Sequence, residues 1–230
     1  MVRRTDALIW QTHPRTKGST FYPDRIKDKE YYQDDHWLGA TFKAMPVDLS
    51  QERLCETRCF GTLDDMNNWG QRKFSLGEVD TYKKSPSDDL YGHFNVNYLK
   101  LEALPTPSDW SAINCVLRAG SFFVTTGEVL FHEFTVNGSP AGGTAKQAAG
   151  QTSAVVAEVE WTFPLDFVEV VWGDGQKVDR QIIRATELGP FGSRRFSVQL
   201  EPARRRWVRA AAWDCAGNGA FTQPVYLGSN

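Results

Sequence analysis

The sequence predicts an α/β segment over residues 1–124, followed by an antiparallel, immunoglobulin-like β-sandwich over residues 125–230. Before Gly120, apolar strand-like runs alternate with helix signals. After Gly120, short β-rich runs alternate with turn residues at the spacing typical of a sandwich. With 230 residues, of which 41% are hydrophobic, the chain is long enough to bury a substantial core.

The N-terminal elements are a strand, an irregular stretch and a helix. Residues 6–12 form an apolar run that predicts a mostly buried strand, and residues 14–48 are rich in turn residues and aromatic side chains. A helix is predicted near 49–66, because Asp48 can serve as its N-cap and Gln51 stands three positions later as a capping-box partner.

Two strands and a second helix complete the first part. The strands are predicted over 72–83 and 90–101, and the second of them alternates strictly between polar and apolar residues. Alternation places His93, Asn95 and Asn97 on one face and Phe94, Val96 and Tyr98 on the other. Thr106 then caps a helix that ends at Gly120 and carries Pro107 at its first position.

The second part contains tight turns and a high content of tryptophan. Asp174-Gly175 predicts a hairpin, because both central residues of such a turn adopt positive φ, and residues 214–219 predict another tight turn. The tryptophans of the β-rich runs are predicted to lie in the core, with a carbohydrate-binding platform as the alternative: Trp161, Trp172, Trp207 and Trp213.

Composition argues against several classes of partner. The formal net charge of −2 gives no reason to expect nucleic acid, and the three arginines at 204–206 are predicted to form a solvated turn. No apolar run reaches the roughly 18 residues of a membrane span, and no signal peptide precedes the first strand, so the sequence assigns no compartment. The four cysteines are predicted to be free, buried or half-buried thiols, and the lack of a Cys-x-x-Cys pair argues against a zinc knuckle.

Several other polar residues are predicted to have structural roles. Asp64 and Asp65 are interpreted as exposed charges of the first helix, and His36 and His132 as surface or half-buried side chains. The segment 67–69, with the sequence Asn-Asn-Trp, either orients ligands of a nearby site or ends the helix.

Ligand-type side chains occur at strand ends in the first part. His13 follows the first strand, Glu78 and Asp80 lie towards the end of the second, and His93 lies in the third. Two imidazoles and a carboxylate suit a divalent Zn, Mn or Fe ion, which would lower the pKa of a bound water and so supply hydroxide. The alternative is that the histidines are hydrogen-bonded members of the core.

Two cations follow His13 in a loop that contains Gly18 and Ser19. Arg15 and Lys17 are candidates for stabilising the negative charge that develops on a phosphoryl or carbonyl oxygen. A solvated loop without a catalytic role explains them equally well.

Longer phrases of the sequence resemble a known family. The stretches "WQTHPRTKGST", "LDDMNNWGQRKFSLGEVDTYK", "DDLYGHFNVNYLKL" and "VLRAGSFFVTTGEVLFHEFTVNG" are together similar to the C-terminal half of a metal-dependent hydrolase of the polymerase and histidinol phosphatase (PHP) superfamily. The branch they resemble is the CehA/McbA-like one, which ends in an appended β-sandwich.

The resemblance implies a partial (β/α) barrel with a metal centre. His13 would correspond to a late histidine ligand of the family, and Asp80 with His93 to its final ligand pair, with Glu78 as a rival ligand. The family's early His-x-His ligands do not occur in this sequence, so half of the metal site would be missing. The chain is therefore expected to begin in the middle of a barrel and to leave an open strand edge, through which it could self-associate or pair with a complementing chain.

The functional prediction is a fragment of a metal-dependent hydrolase. It would act on phosphoester, carbamate or other ester bonds of a small molecule through metal-activated water, and it would be weakly active or inactive alone. The alternative is a non-catalytic binding or architectural module centred on the β-sandwich, with a carbohydrate or a protein as its ligand and a sandwich that folds independently.

Overall fold

The computed structural model describes residues 7–12, 14–15, 22–42, 58–78, 95–148 and 150–228. Within these residues the chain is mostly β-strand, with a few short helices and three sheets. None of the described helices is long and apolar enough to cross a membrane.

A small parallel sheet is formed by the first strands of the chain. Its members are β1 (Ile9–Thr12), β2 (Trp37–Phe42) and β3 (Phe74–Gly77), paired in that order. Two helices connect them, α1 (Glu30–Gln33) before β2 and α2 (Arg58–Asn68) before β3. Because the strands are parallel, their carboxyl ends lie along one edge of the sheet.

The central sheet has eight strands, and a third helix lies between its first two. The strands are β4 (Val96–Leu99), β5 (Phe122–Thr125), β8 (Thr144–Lys146), β10 (Leu165–Gly173), β11 (Val178–Arg184), β13 (Trp207–Asp214), β14 (Gly219–Thr222) and β15 (Val225–Gly228), and the helix is α3 (Ser111–Ala119). Six of the strands follow the antiparallel order β11-β10-β13-β14-β5-β4, while β15 pairs with β13 and, in parallel, with β8.

A four-stranded antiparallel sheet packs on one face of the central sheet. It contains β6 (Val129–Val136), β7 (Ser139–Pro140), β9 (Ser153–Trp161) and β12 (Gly192–Leu200) in the order β12-β9-β6-β7. Strict alternation in β9, with every second residue from Ser153 to Trp161 buried, provides one inner face. The two sheets enclose a core that includes Val159, Phe196 and Val170, as expected for a β-sandwich.

The opposite face of the central sheet is covered by α2 and the parallel sheet. Strand β13 is buried along its whole length, and its side chains alternate between the two cores. Ala210 and Ala212 belong to the sandwich core, whereas Ala211 and Trp213 pack with Leu63 of α2 in a second core. The central sheet is therefore the middle layer of three.

The predicted incomplete (β/α) barrel is wrong. The described residues form a mostly-β fold of several sheets without a barrel. The run at 90–101 was expected to supply another strand of the α/β part, yet β4 pairs antiparallel with β5 in the central sheet. Period-two alternation identifies a strand but carries no information about the sheet it joins.

Most of the individual strand and turn predictions are confirmed. The β-rich runs after Gly120 form β5, β6 and β9 to β15, and the predicted hairpin joins β10 to β11, although of Asp174 and Gly175 only Gly175 has a positive φ, of 97°. The helix predicted from Thr106 begins only at Ser111, although it ends, as predicted, at a left-handed Gly120 with φ of 69°. Among the tryptophans expected in the core, Trp161, Trp207 and Trp213 are buried.

Candidate functional site

The candidate site lies at the carboxyl edge of the parallel sheet. The register aligns Thr12 of β1 with Thr41 of β2, and Thr41 with Leu76 of β3. Thr12, Thr41 and Leu76 therefore lie side by side near the carboxyl ends of their strands. Proteins with parallel sheets commonly bind their ligands at the carboxyl ends of the strands, because the loops there can vary in sequence while the strands keep their positions.

Glu78 is the predicted site residue that the structure places at this edge. It follows β3 directly and is half-buried, and Thr41 Oγ1 donates a hydrogen bond to Glu78 Oε2 at 2.6 Å. Thr41 is itself buried, so its hydroxyl fixes the direction of the carboxylate. Thr41 carries no functional signal in the sequence, since a threonine within a strand is an ordinary β-forming residue.

Side-chain amides hold the outer edge of β3. Asn97 accepts from the Gly77 N–H and donates to the Gly77 carbonyl, both at 2.9 Å. Gln223 does the same for Ser75, at 3.0 and 2.9 Å. These four hydrogen bonds replace those that a further strand would make to Ser75 and Gly77. A further strand therefore cannot pair with this side of β3 at these two residues. The same bonds also fix the backbone immediately before Glu78.

Gly77 permits this close approach. A Cβ atom at position 77 would lie 2.4 Å from the Cβ of Asn95 and 2.9 Å from a methyl carbon of Val124. Any other residue would push β3 away from β4 and β5, and Glu78 would move with it.

Arg15 lies in the segment that follows β1 and is held by carboxylates. Its guanidinium makes two hydrogen bonds to Asp24, at 2.9 and 2.7 Å, and an ion pair with Asp65 of α2 at 2.8 Å. These contacts raise the pKa of Arg15, chiefly through the hydrogen bond to Asp24. Arg15 thus ties the loop after β1 to the start of the next segment and to α2.

The remaining predicted site residues lie outside the described part of the structure. They are His13, Lys17, Asp80 and His93. In the sequence, His13 directly follows the last residue of β1, and Asp80 stands two positions after Glu78. Their assignment as ligands, or for Lys17 as a stabilising cation, stays a prediction.

A separate group could hold a metal ion at the opposite edge of the parallel sheet. Among the described residues it is the one group of three or more ligand-type side chains that converge: Asp34, Asp35 and His36. Its members precede β2, and His36 Nδ1 lies 2.7 Å from Asp34 Oδ1 and 3.1 Å from Asp35 Oδ1. The predicted half-buried position of His36 is confirmed, and His132, bonded to Glu160, is exposed as expected.

A buried lysine lies close to this group. Lys73 is 2% exposed and donates to the backbone carbonyls of Tyr32, at 2.6 Å, and of Trp37. Burial lowers the pKa of Lys73 to about 8. Its Nζ also lies 3.5 Å from the Asp34 carbonyl oxygen, and this positive charge opposes the binding of a dication by the neighbouring carboxylates.

The interpretation of Asp64 as an exposed charge is wrong. Asp64 is 1% exposed and accepts two hydrogen bonds from Arg209 of β13, at 2.7 and 2.9 Å. Nearby, Glu169 of β10 is equally buried, and Trp213 Nε1 and Arg180 Nη1 each lie 3.4 Å from one of its oxygens. Burial raises the pKa of Glu169 against the opposing pull of Arg209. Asp65 is half-buried, with 44% of its side chain exposed, rather than fully exposed as predicted.

The asparagines at the end of α2 join the layers of the fold. Asn67 donates to Leu63 and Lys73 carbonyls and accepts from the Tyr226 hydroxyl at 2.6 Å. Asn68 accepts from Trp207 Nε1 at 3.0 Å. Of the two interpretations of this segment, these contacts favour the structural one.

No protein-family model matches the sequence, and no curated protein is similar to it. The similarity to the PHP superfamily therefore rests on the quoted phrases alone and stays a prediction.

Proposed function

We propose that the carboxyl edge of the parallel sheet contributes to a metal-dependent hydrolytic site for small-molecule esters. The observation that carries this proposal is the position of Glu78, whose carboxylate is oriented by the Thr41 hydroxyl at the ends of two neighbouring parallel strands. Carboxylates in this position are the usual acid, base or ligand groups of parallel-sheet enzymes.

The chemistry of the donors fits a divalent cation. Glu78 supplies carboxylate oxygen after β3, and His13, which follows β1 in the sequence, is the candidate nitrogen ligand from the strand on the other side of β2. Asp80 and His93 are the further candidates from sequence. When bound, a divalent ion would supply an activated water molecule as the nucleophile for ester hydrolysis.

The described residues have positioning roles in this proposal. Thr41 holds the carboxylate of Glu78 in one orientation through its donated hydrogen bond. Asn97 of β4 fixes the backbone of Gly77, which directly precedes Glu78. The central sheet thereby holds the end of β3 in place. Arg15 joins the end of the described residues after β1 to α2 through its ion pair with Asp65.

Metal affinity tests the proposal more directly than turnover. We expect the metal-free full chain to bind Mn²⁺ or Zn²⁺ in isothermal titration calorimetry, and Glu78→Gln to weaken that binding by about tenfold or more, since it removes an anionic ligand of similar shape. Thr41→Val should weaken binding to a smaller extent, because it only frees the carboxylate to rotate. Slow hydrolysis of bis(p-nitrophenyl) phosphate or p-nitrophenyl acetate should depend on added metal and decrease in the same order.

The matched control is Glu187→Gln, which neutralises an exposed glutamate in the connection before β12. Its metal affinity should equal that of the unmodified chain. Equal affinity in the Glu78→Gln variant, or no metal binding by the unmodified chain, would contradict the proposal.

A further inference from the structure

A cavity is lined by three segments of the second half of the chain, none of which carries Glu78. It has a volume of about 390 Å³ and lies between three segments. Gln147, Ala148 and Gly150 come from the connection between β8 and β9, residues 202–205 from the connection between β12 and β13, and residues 227–228 from β15. This volume lies within the roughly 300–1,000 Å³ of small-molecule sites.

Arg205 is the buried residue among the described residues that line the cavity. Only 9% of it is exposed, and its Nη1 donates to the Glu201 carbonyl at 2.6 Å. The guanidinium lies over the ring of Trp172, with 4.9 Å between its central carbon and the ring centroid. This stacking and the backbone bond hold the planar fork in one orientation.

The guanidinium of Arg205 has hydrogen-bonding capacity left. Its Nε is buried without an acceptor, and no carboxylate oxygen of the described residues forms an ion pair with it. Asp179 and Glu201 attract the cation only over a longer distance. A buried arginine normally has an anionic partner, because an uncompensated buried charge is costly.

The walls of the cavity combine apolar and cationic groups. Pro202, Ala203 and Leu227 supply apolar surface, and Arg204, an exposed residue, adds a second positive charge. Arg204 also lies within electrostatic range of Asp174. A ligand that suits these walls has an anionic end and a small apolar body.

We propose that this cavity binds a small organic oxyanion, a carboxylate or a phosphate monoester, with Arg205 as its anchor. The guanidinium N–H groups of Arg205 that line the cavity would donate to the oxyanion. Arg204 would attract the ligand electrostatically, and the apolar wall would accommodate its body. The site is independent of the hydrolytic edge and uses none of its residues.

Calorimetric titration of the full chain with phenyl phosphate and with benzoate, without divalent metal and at low ionic strength, tests this site. We expect saturable binding of at least one of them, weakened by about tenfold or more in Arg205→Gln and by a smaller factor in Arg205→Lys, which keeps the charge but not the fork. Tighter binding of phenyl phosphate would assign the site to phosphate monoesters, and tighter binding of benzoate to carboxylates. Either result upholds the proposal.

Two further variants distinguish a loss of ligand binding from a loss of folding. Ala148→Phe should abolish binding by filling the cavity without touching the charge of Arg205. Arg184→Gln is the matched control, because it removes an exposed arginine of β11 that pairs with Asp166 of β10, and its affinity should stay within about twofold of the original. The proposal is overturned if neither probe binds saturably, or if folded Arg205→Gln and Ala148→Phe, checked by circular dichroism, bind as tightly as the unmodified chain.

Discussion

The pair between Asp64 and Arg209 shows how single residues connect the layers of this fold. Both side chains are 1% exposed, and two parallel hydrogen bonds join them across the contact between α2 and the central sheet. Burying both charges costs solvation free energy, which the bidentate geometry offsets only while both partners are present. The pair therefore makes correct docking of α2 a condition for burying either charge.

Removal of one charge from this pair should be strongly destabilising. We expect Asp64→Asn to lower the free energy of unfolding by about 3–5 kcal/mol, because the guanidinium of Arg209 remains buried without its counter-charge. The double variant Asp64→Leu with Arg209→Met should lose less than this single variant, since it removes both members of the pair, while the nearby Glu169 keeps its contact with Arg180 at 3.4 Å. Urea denaturation followed by far-UV circular dichroism measures all three free energies.

Asp65 offers a control on the same helix. Its carboxylate is 44% exposed and pairs with Arg15, so Asp65→Asn should cost less than about 1 kcal/mol. Equal losses for Asp64→Asn and Asp65→Asn would show that burial of the Asp64 pair does not contribute as we describe.

The edge of β3 shows how one element is completed by side chains from others. Gln223 is fully buried and follows β14, while Asn97 lies in β4, and together they satisfy the backbone of Ser75 and Gly77. A strand edge without such partners is a template for pairing with another chain. The amides thus end the parallel sheet and attach it to the central sheet.

Loss of the Gln223 amide should expose this edge. We expect Gln223→Leu to cost about 1–3 kcal/mol for each buried backbone group left without a partner. Hydrogen exchange of the Ser75 amide should become faster, because that N–H loses its acceptor. Gln199→Leu, at an exposed position of β12, is the control and should leave this exchange rate unchanged; an unchanged rate in Gln223→Leu would contradict the proposed capping role.

The sequence predicts individual strands and turns better than it predicts which strands and side chains pair with one another. Alternation in β9 and the Asp174-Gly175 turn are local signals, so the sandwich strands could be predicted from neighbouring residues. The pairing of β4 with β5 and the pairing of Asp64 with Arg209 depend on contacts between distant segments. No local pattern encodes such contacts, and a single buried aspartate has the same helical context as an exposed one.

At the scale of the whole molecule, the central sheet requires a covering layer on each of its faces. The sandwich core covers one face, and the other carries Phe167, Ala211, Trp213 and Phe221 against α2 and the parallel sheet. Arg209 and Glu169 are also buried on this second face. Strands β4 and β5, which precede residue 126, belong to the same central sheet.

This arrangement predicts that residues 126–230 do not fold alone. Without the preceding chain, the central sheet lacks β4 and β5, exposes Trp213 and Phe167 to water, and loses the carboxylate that pairs with Arg209. We expect this segment to aggregate or to lack a cooperative urea transition. The full chain should unfold in one transition that tryptophan fluorescence and far-UV circular dichroism report at the same urea concentration.

A longer segment, residues 95–228, separates the two causes. It restores β4 and β5 but still lacks α2 and the parallel sheet, so folding of this segment alone would identify the missing strands as the decisive loss. Failure of both segments would identify the uncovered apolar face of the central sheet as the cause instead. Both segments lack α2 and the parallel sheet, which cover that face in the full chain. A sharp, well-dispersed amide spectrum and a sigmoidal urea transition for residues 126–230 would contradict the three-layer account, because the sandwich would then be stable without the layer that covers Trp213.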